Sequence, residues 1–447
     1  MLGSSATSIE LREAPVHEHH PLNDDEPSSP LAAKTIASQP LERWNYPRSN
    51  RGRVLAAFWS LMVLGLGDSG YGAIIPYMRP YYDLSYTLIS LVFLTPFVGY
   101  TLSAFSNNWI HTHFGQRGAA LLCGGCHLVA FIVVSQHPPY PVLVIVYMLA
   151  GFGNGIGDAA WNAFVGAMAN ANELLGLMHA FYGVGGVLGP LIATSMITKL
   201  GLGWYAYYYV MIAVSAVELA LLVSSFWPVT GRVFREAHPT TTGTGTGKGT
   251  SSMHEALWQM PAARVSWLCA AFLLCYVGVE VALGGWIVTF MIKVRQGAAF
   301  ASGMTATGFW LGLTVGRVFF GFLTPKLGER LALMIYLPAA MGLELLFWLV
   351  PQFIVSAVAI ALVGFFLGPL FPAVIIAVSK SLPKHLHVSA IGFAAAFGGG
   401  GGAVLPFAVG AIAQSKGVAV LQPIVLALLA VQLMLWLALP KFSKKRD

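Results

Sequence analysis

An ionised side chain at bilayer depth costs roughly 2.5 kcal/mol or more, so the residues to begin with are the five acids and one base set deep in apolar runs. They are Asp68, Asp158, Glu218, Glu280, Glu344 and Arg317. Such a group faces a partner or water, and a carboxyl so placed can take up and release protons. Helical spacing ranks them. Asn154, Asp158 and Asn162 recur every four residues with Trp161 beside them, which lines one helix face. Tyr276, Glu280 and Gly284 repeat that spacing; His179, Tyr182 and Gly183 share a face, and Thr307, Trp310, Thr314 and Arg317 form another. Hydrogen-bonding groups interleaved with flat rings suit a small polar solute with apolar patches, a sugar being one candidate. Glu218 and Glu344 stand alone among Leu, Val and Ala and read as helix contacts, each stabilising by about 1 kcal/mol or less.

The elements that carry these faces are membrane spans. Of 447 residues, 56% are hydrophobic and 10% charged, against about 25% charged in soluble domains, and mean hydropathy is +0.70. Too little polar surface exists to cover a water-soluble core, and disorder fails by the same arithmetic. Residues 1–50 are Pro-, Ser- and acid-rich, with no signal-peptide pattern, and predict a disordered tail. Twelve apolar segments follow, from about 54–78 to 417–439, each long enough for the roughly 20 residues that cross a bilayer. The Thr- and Gly-rich linker 228–263 divides them into halves at 51–227 and 264–440, with a short tail at 441–447. This predicts an all-α integral membrane protein, twelve transmembrane helices in two pseudo-symmetric six-helix halves.

The halves echo one another. Asp68 and Gly72 in segment one match Glu280 and Gly284 in segment seven, while Gly115 with Arg117 after segment two matches Gly328 with Arg330 after segment eight. Duplicated halves are the mark of a transporter built from repeats. Charge sets the orientation: 17 Lys or Arg fall on the side of both termini and the linker, and five, Arg79, Lys199, Lys293, Arg295 and Lys416, on the other. The positive-inside bias puts both termini in the cytoplasm, with the plasma membrane the expected residence. The net charge of +7 thus belongs to topology, and no nucleic-acid partner is implied.

Other motifs lead elsewhere and are set aside. Cys123-Gly-Gly-Cys126-His127 has the spacing of a haem attachment site but lies inside an apolar helix. The Gly-Thr run ending in Gly247-Lys248 lacks the strand and hydroxyl residue of a phosphate loop. The pairs His111/His113 and His385/His387 flank connectors and suit the headgroup layer better than a metal. No cofactor, resident metal or enzymatic activity is expected, since no His-Glu-x-x-His or Gly-x-Ser-x-Gly sequence occurs.

From residue 50 to 440 the chain resembles the major facilitator superfamily. More narrowly it resembles the fucose permease type of sugar:proton symporter and its fungal relatives, through Gly65-Leu-Gly-Asp68, Gly153-Asn-Gly-Ile-Gly-Asp158-Ala-Ala-Trp-Asn162 and Leu177-Met-His179-Ala-Phe-Tyr182-Gly. The resemblance implies proton-coupled alternating access by a monomer, with Asp68 and Asp158 at the proton-coupling and sugar-binding carboxylates, and His179 where the permease has a polar amide. Glu280 lies outside that pattern and would modulate the pair. Asn154, Trp161, Asn162, His179, Tyr182, Tyr276, Trp286 and Trp310 would contact solute. Gly115, Arg117, Gly328, Arg330 and Arg317 would serve gating or structure. The superfamily's loop signature is eroded, with Asn108, Thr112 and Pro325 in place of its glycine and acids. An exporter or uniporter of the same fold, and a receptor that binds without translocating, are the alternatives.

Overall fold

Apolar runs with no water around them must satisfy their backbone internally, and long helices do so. The computed structural model describes residues 42–237 and 254–440. The phosphate-loop-like run and the 441–447 tail lie outside the described residues, as does most of the 1–50 tail. The main helices are α1 (Ser49–Tyr81), α2 (Leu91–Ser135), α3 (Tyr140–Gly166), α4 (Ala171–Thr198), α5 (Tyr207–Phe226), α6 (Ala262–Lys293), α7 (Ala299–Leu327), α8 (Glu329–Leu349), α9 (Phe353–Leu367), α10 (Leu370–Ser381), α11 (His387–Lys416) and α12 (Leu421–Ala438).

Eleven helical stretches among the described residues are long and apolar enough to cross a membrane. One of them, Tyr86–Ser135, runs for 50 residues, about 75 Å of helix against a hydrocarbon core of about 30 Å. It is broken at Gly115, whose φ of 68° and ψ of −164° are non-helical, so α2 supplies two spans and the total is twelve. In the other direction, α9 and α10 form one span, Phe353–Ser381, interrupted at Gly368-Pro369. Proline's missing N–H makes that a natural break.

The duplication is visible in the backbone. Gly115 and Gly328 both adopt positive φ, 68° and 81°, and each is followed by an arginine that holds the end of its half's last helix. Arg117 lies over the Trp227 ring at 4.8 Å, and Arg330 donates to the Leu439 carbonyl at 3.1 Å.

The halves meet at the end of the bundle opposite the described ends of the chain. There Gly72 of α1 abuts the Gly284 carbonyl of α6, Phe93 of α2 lies on Gly285, and Ser90 lies against Gly410 of α11. The Tyr86 N–H donates to Gln414 at 2.8 Å, and Thr194 of α4 packs against Gly303 of α7.

Two expected boundaries shift. Residues 42–50 are not free tail, because Asn50 donates to Glu42 at 2.8 Å and the Glu42 carbonyl accepts from Ala169 N–H at 2.8 Å. The linker is not wholly irregular either. Gly231–Ala237 is a helical segment seated on the α2 break, with Arg235 donating to the Thr112 carbonyl.

Candidate functional site

Asp68 lies midway along α1 and is exposed. Glycines bring α4 close beside it: Gly185 meets the Met62 carbonyl and Gly189 meets Ser69. The glycines from Gly183 to Gly189 thus make a close packing face. That proximity lets the Tyr182 hydroxyl donate to one Asp68 oxygen at 3.2 Å, while Asn154 of α3 donates to the other at 3.4 Å.

One turn along α3, half-buried Asp158 accepts from Tyr100 of α2 at 2.5 Å and from Asn162 at 2.7 Å. Asn162 in turn meets His179 of α4 at 3.1 Å. The two acids thus belong to neighbouring hydrogen-bond sets that span α1, α3 and α4, and His179 and Asp68 are both exposed. Each direct partner of these carboxylates is a neutral donor.

The other half holds its acid differently. Glu280 of α6 is 7% exposed and receives the Arg317 guanidinium at 3.0 and 3.2 Å. Tyr276 is fully buried beside this pair. Across the seam, Gly183 of α4 meets Thr314 of α7, so the face that carries Tyr182 and the face that carries Arg317 adjoin.

Four aromatic residues expected on the solute face are buried instead, Tyr276 beside the ion pair and three tryptophans. Trp161 is wholly buried, donating to Ser60 at 3.1 Å and stacked on Phe226; three residues past Asp158, it is turned about 60° off that face. Trp286 is also wholly buried and donates to the Pro406 carbonyl at 2.9 Å, in the seam with Phe93 and Tyr86. Trp310, 4% exposed, fills the space beside Gly186 and Gly284. Large rings at helix crossings gain more from close packing than from facing water.

Sequence reasoning missed two residues of this site. Glu218 of α5, read as isolated, is fully buried and accepts from the Ser60 hydroxyl at 2.6 Å, with His127 Nδ1 of α2 at 2.9 Å. His127 Nε2 lies 2.8 Å from Asn154 Oδ1, which links this pair to Asp68. Cys123 and His127 are four residues apart on α2 and face Gly153 and Gly157, four apart on α3. Two residues of the discarded haem-like motif therefore belong to a close helix contact, and the matching spacings on two segments were the available signal. Cys123, His127 and Glu218 place ligand-type atoms within 4.8 Å of one another, but their shared hydrogen bonds account for that closeness. Glu344 is fully buried, and neither of its oxygens has a hydrogen-bond partner.

A family model described as the Major Facilitator Superfamily matches residues 57–406. The chain is 28% identical to Bypass of stop codon protein 6 of Saccharomyces cerevisiae, over 88% of this chain and 84% of that protein. It is 20% identical to the glucose/mannose transporter GlcP of Bacillus subtilis, over 80% and 88%. Among solved structures, a D-xylose-proton symporter aligns with a TM-score of 0.70 at 12% identity, over 88% of this chain and 98% of that one. The peptide transporter POT aligns with a TM-score of 0.66 at 14% identity, over 90% and 96%.

Proposed function

The chain belongs to the Major Facilitator Superfamily, and on that footing we propose that it moves a small, polar, uncharged solute such as a sugar by alternating access, driven by protons. The observation that carries this reading is the proximity of Asp68 and Asp158, the first hydrogen-bonded to Asn154 one turn from the second, with both held by neutral donors. A carboxylate with no fixed counter-cation gains by protonation when its surroundings dry out, and occlusion of a chamber dries them. Asp68 is the coupling group. Asp158, Asn162 and His179 form the polar wall against which hydroxyl groups of the solute exchange hydrogen bonds.

Charge supports the neutral solute. Arg317 is committed to Glu280, which leaves two acids in surplus, and an anionic solute would meet repulsion. The glucose/mannose transporter among the relatives agrees with a sugar. The seam closes the end carrying Arg79 and Lys199, the end that the positive-inside bias assigns to the outside. On that orientation, the reading is of an inward-facing form with both termini in the cytoplasm.

Reconstituted vesicles carrying an imposed pH difference and a panel of radiolabelled hexoses and pentoses test the reading. A labelled sugar accumulates in the unmodified protein, and Asp68→Asn brings its level down to equilibrium, a loss of about tenfold or more in accumulation ratio. Accumulation unchanged by Asp68→Asn removes proton coupling at that residue. Equilibration without accumulation in the unmodified protein makes the chain a uniporter, and saturable binding without movement makes it a receptor.

A further inference from the structure

Behind Asp68 lies a dead-ended row of polar groups that a solute in the chamber does not reach: Asn154, then His127, then Glu218, then Ser60. His127 is 1% exposed, and Glu218 and Ser60 are 0% and 1% exposed. Their donors and acceptors can be assigned in turn from the network. Trp161 Nε1 can only donate, so the Ser60 oxygen accepts from it and the Ser60 hydrogen goes to Glu218 Oε1. The Cys123 thiol points at that same oxygen from 3.6 Å. Oε1 is therefore occupied by donors, and a carboxyl proton on Glu218 has one place to sit, on Oε2 facing His127 Nδ1. At the other end, Asn154 turns its NH2 to Asp68 and its oxygen to His127, so Nε2 carries a hydrogen.

One proton remains to be placed, on the 2.9 Å axis between Nδ1 and Oε2. With the proton on nitrogen the pair is imidazolium and carboxylate; on oxygen, both partners are neutral. The net charge is zero either way, but the first form puts positive charge on the side facing Asp68. We propose that His127 and Glu218 form a switchable dipole whose shared proton moves between Nδ1 and Oε2 as Asp68 loses and gains a proton from the chamber.

The inference rests on Asp68 being the group that takes up the proton. When Asp68 is ionised, the imidazolium one side chain away is favoured by attraction across a low-dielectric gap. When Asp68 takes a proton from chamber water, that attraction ends and the two buried charges have nothing to offset their desolvation. The Nδ1–H bond then breaks, the Oε2–H bond forms, and no charge leaves the pair. Asn154 holds its hydrogen bonds in both forms. A carboxamide does not pass a proton along, so the coupling is by charge, and the buried proton never exchanges through this row. The other titratable groups facing the pair are Cys123, with Cys126 beyond it. Those facing Asp68 are Tyr71, Tyr100, Tyr182 and Tyr207, together with Asp158. The phenols and thiols are neutral at physiological pH, and an ionised Asp158 reinforces the imidazolium form.

Infrared difference spectroscopy of the purified full-length chain, acid minus neutral, with carbon-13 labelling of glutamate, reads the shift without any solute. The expected spectrum gains two protonated-carboxyl carbonyl bands, one from Asp68 and one from a glutamate, for a single proton taken up from the medium. Asp68→Asn removes both bands, although Glu218 is intact there; Glu218→Gln removes the glutamate band alone. A glutamate band that is absent from the unmodified protein, or that persists unchanged in Asp68→Asn, overturns the proposal. The Asp68→Asn comparison leaves the buried cluster untouched, so it stands even where Glu218→Gln does not fold. Failure of the transport reading shows separately, as sugar accumulation that survives Asp68→Asn.

Discussion

The two halves carry acids at matching positions and treat them in opposite ways. Asp68 is held by an amide and a phenol, with an imidazole behind the amide. Glu280 is locked to a guanidinium. An ion pair fixes the charge of both partners, whereas neutral donors leave a carboxylate free to gain a proton without stranding a buried cation. From one repeated plan the first half thus holds its acid through neutral donors and the second through a fixed cation. A repeat in sequence does not imply a repeat in chemistry.

The largest effect that could break this contrast is at the acids themselves. Asp68→Asn is expected to abolish accumulation while leaving the unfolding midpoint in detergent near that of the unmodified protein. Glu280→Gln does the reverse to stability. It leaves the Arg317 charge half-buried with no partner and costs about 2 kcal/mol, below the range for fully buried pairs because Arg317 is partly exposed. Glu280→Gln combined with Arg317→Gln regains most of that loss in the same unfolding measurement. If the double variant is no more stable than the single one, the pair is not what Glu280 is there for. A smaller effect sharpens the chemistry of the first half. Tyr100→Phe removes a donor from Asp158 beside water and weakens apparent sugar affinity by about 1 kcal/mol, severalfold in a binding titration. The smallest compares the repeated arginines. Arg330→Ala loses hydrogen bonds to the end of α12 and costs about 1 to 2 kcal/mol, while Arg117→Ala loses a ring contact and costs under about 1 kcal/mol, both read from thermal unfolding.

The fold was legible because lipid makes length and hydropathy sufficient: twelve apolar segments gave twelve spans. The positions of the breaks were less so. A single residue, Gly115, separates two spans that otherwise run on as one helix, and Gly368-Pro369 interrupts another that does not end. The chamber's acids were readable from spacing along single helices, as at Asn154, Asp158 and Asn162. The pairing of Glu218 with His127 was not, since each one's partner lies on another helix. The tryptophans misled for a related reason. Spacing gives the face of a helix, but which neighbour covers that face is a property of the assembled bundle.

The joint between the halves holds with little charge. It is made of glycine against carbonyl, ring against glycine, one amide hydrogen bond and a lysine over a phenyl ring. Among the described residues, no oppositely charged pair joins one half to the other: three lie within a half and two involve the linker. Dissolved ions weaken attraction between opposite charges and scarcely touch shape-fitted apolar contact. A joint of this kind therefore holds much the same at low and at high external salinity.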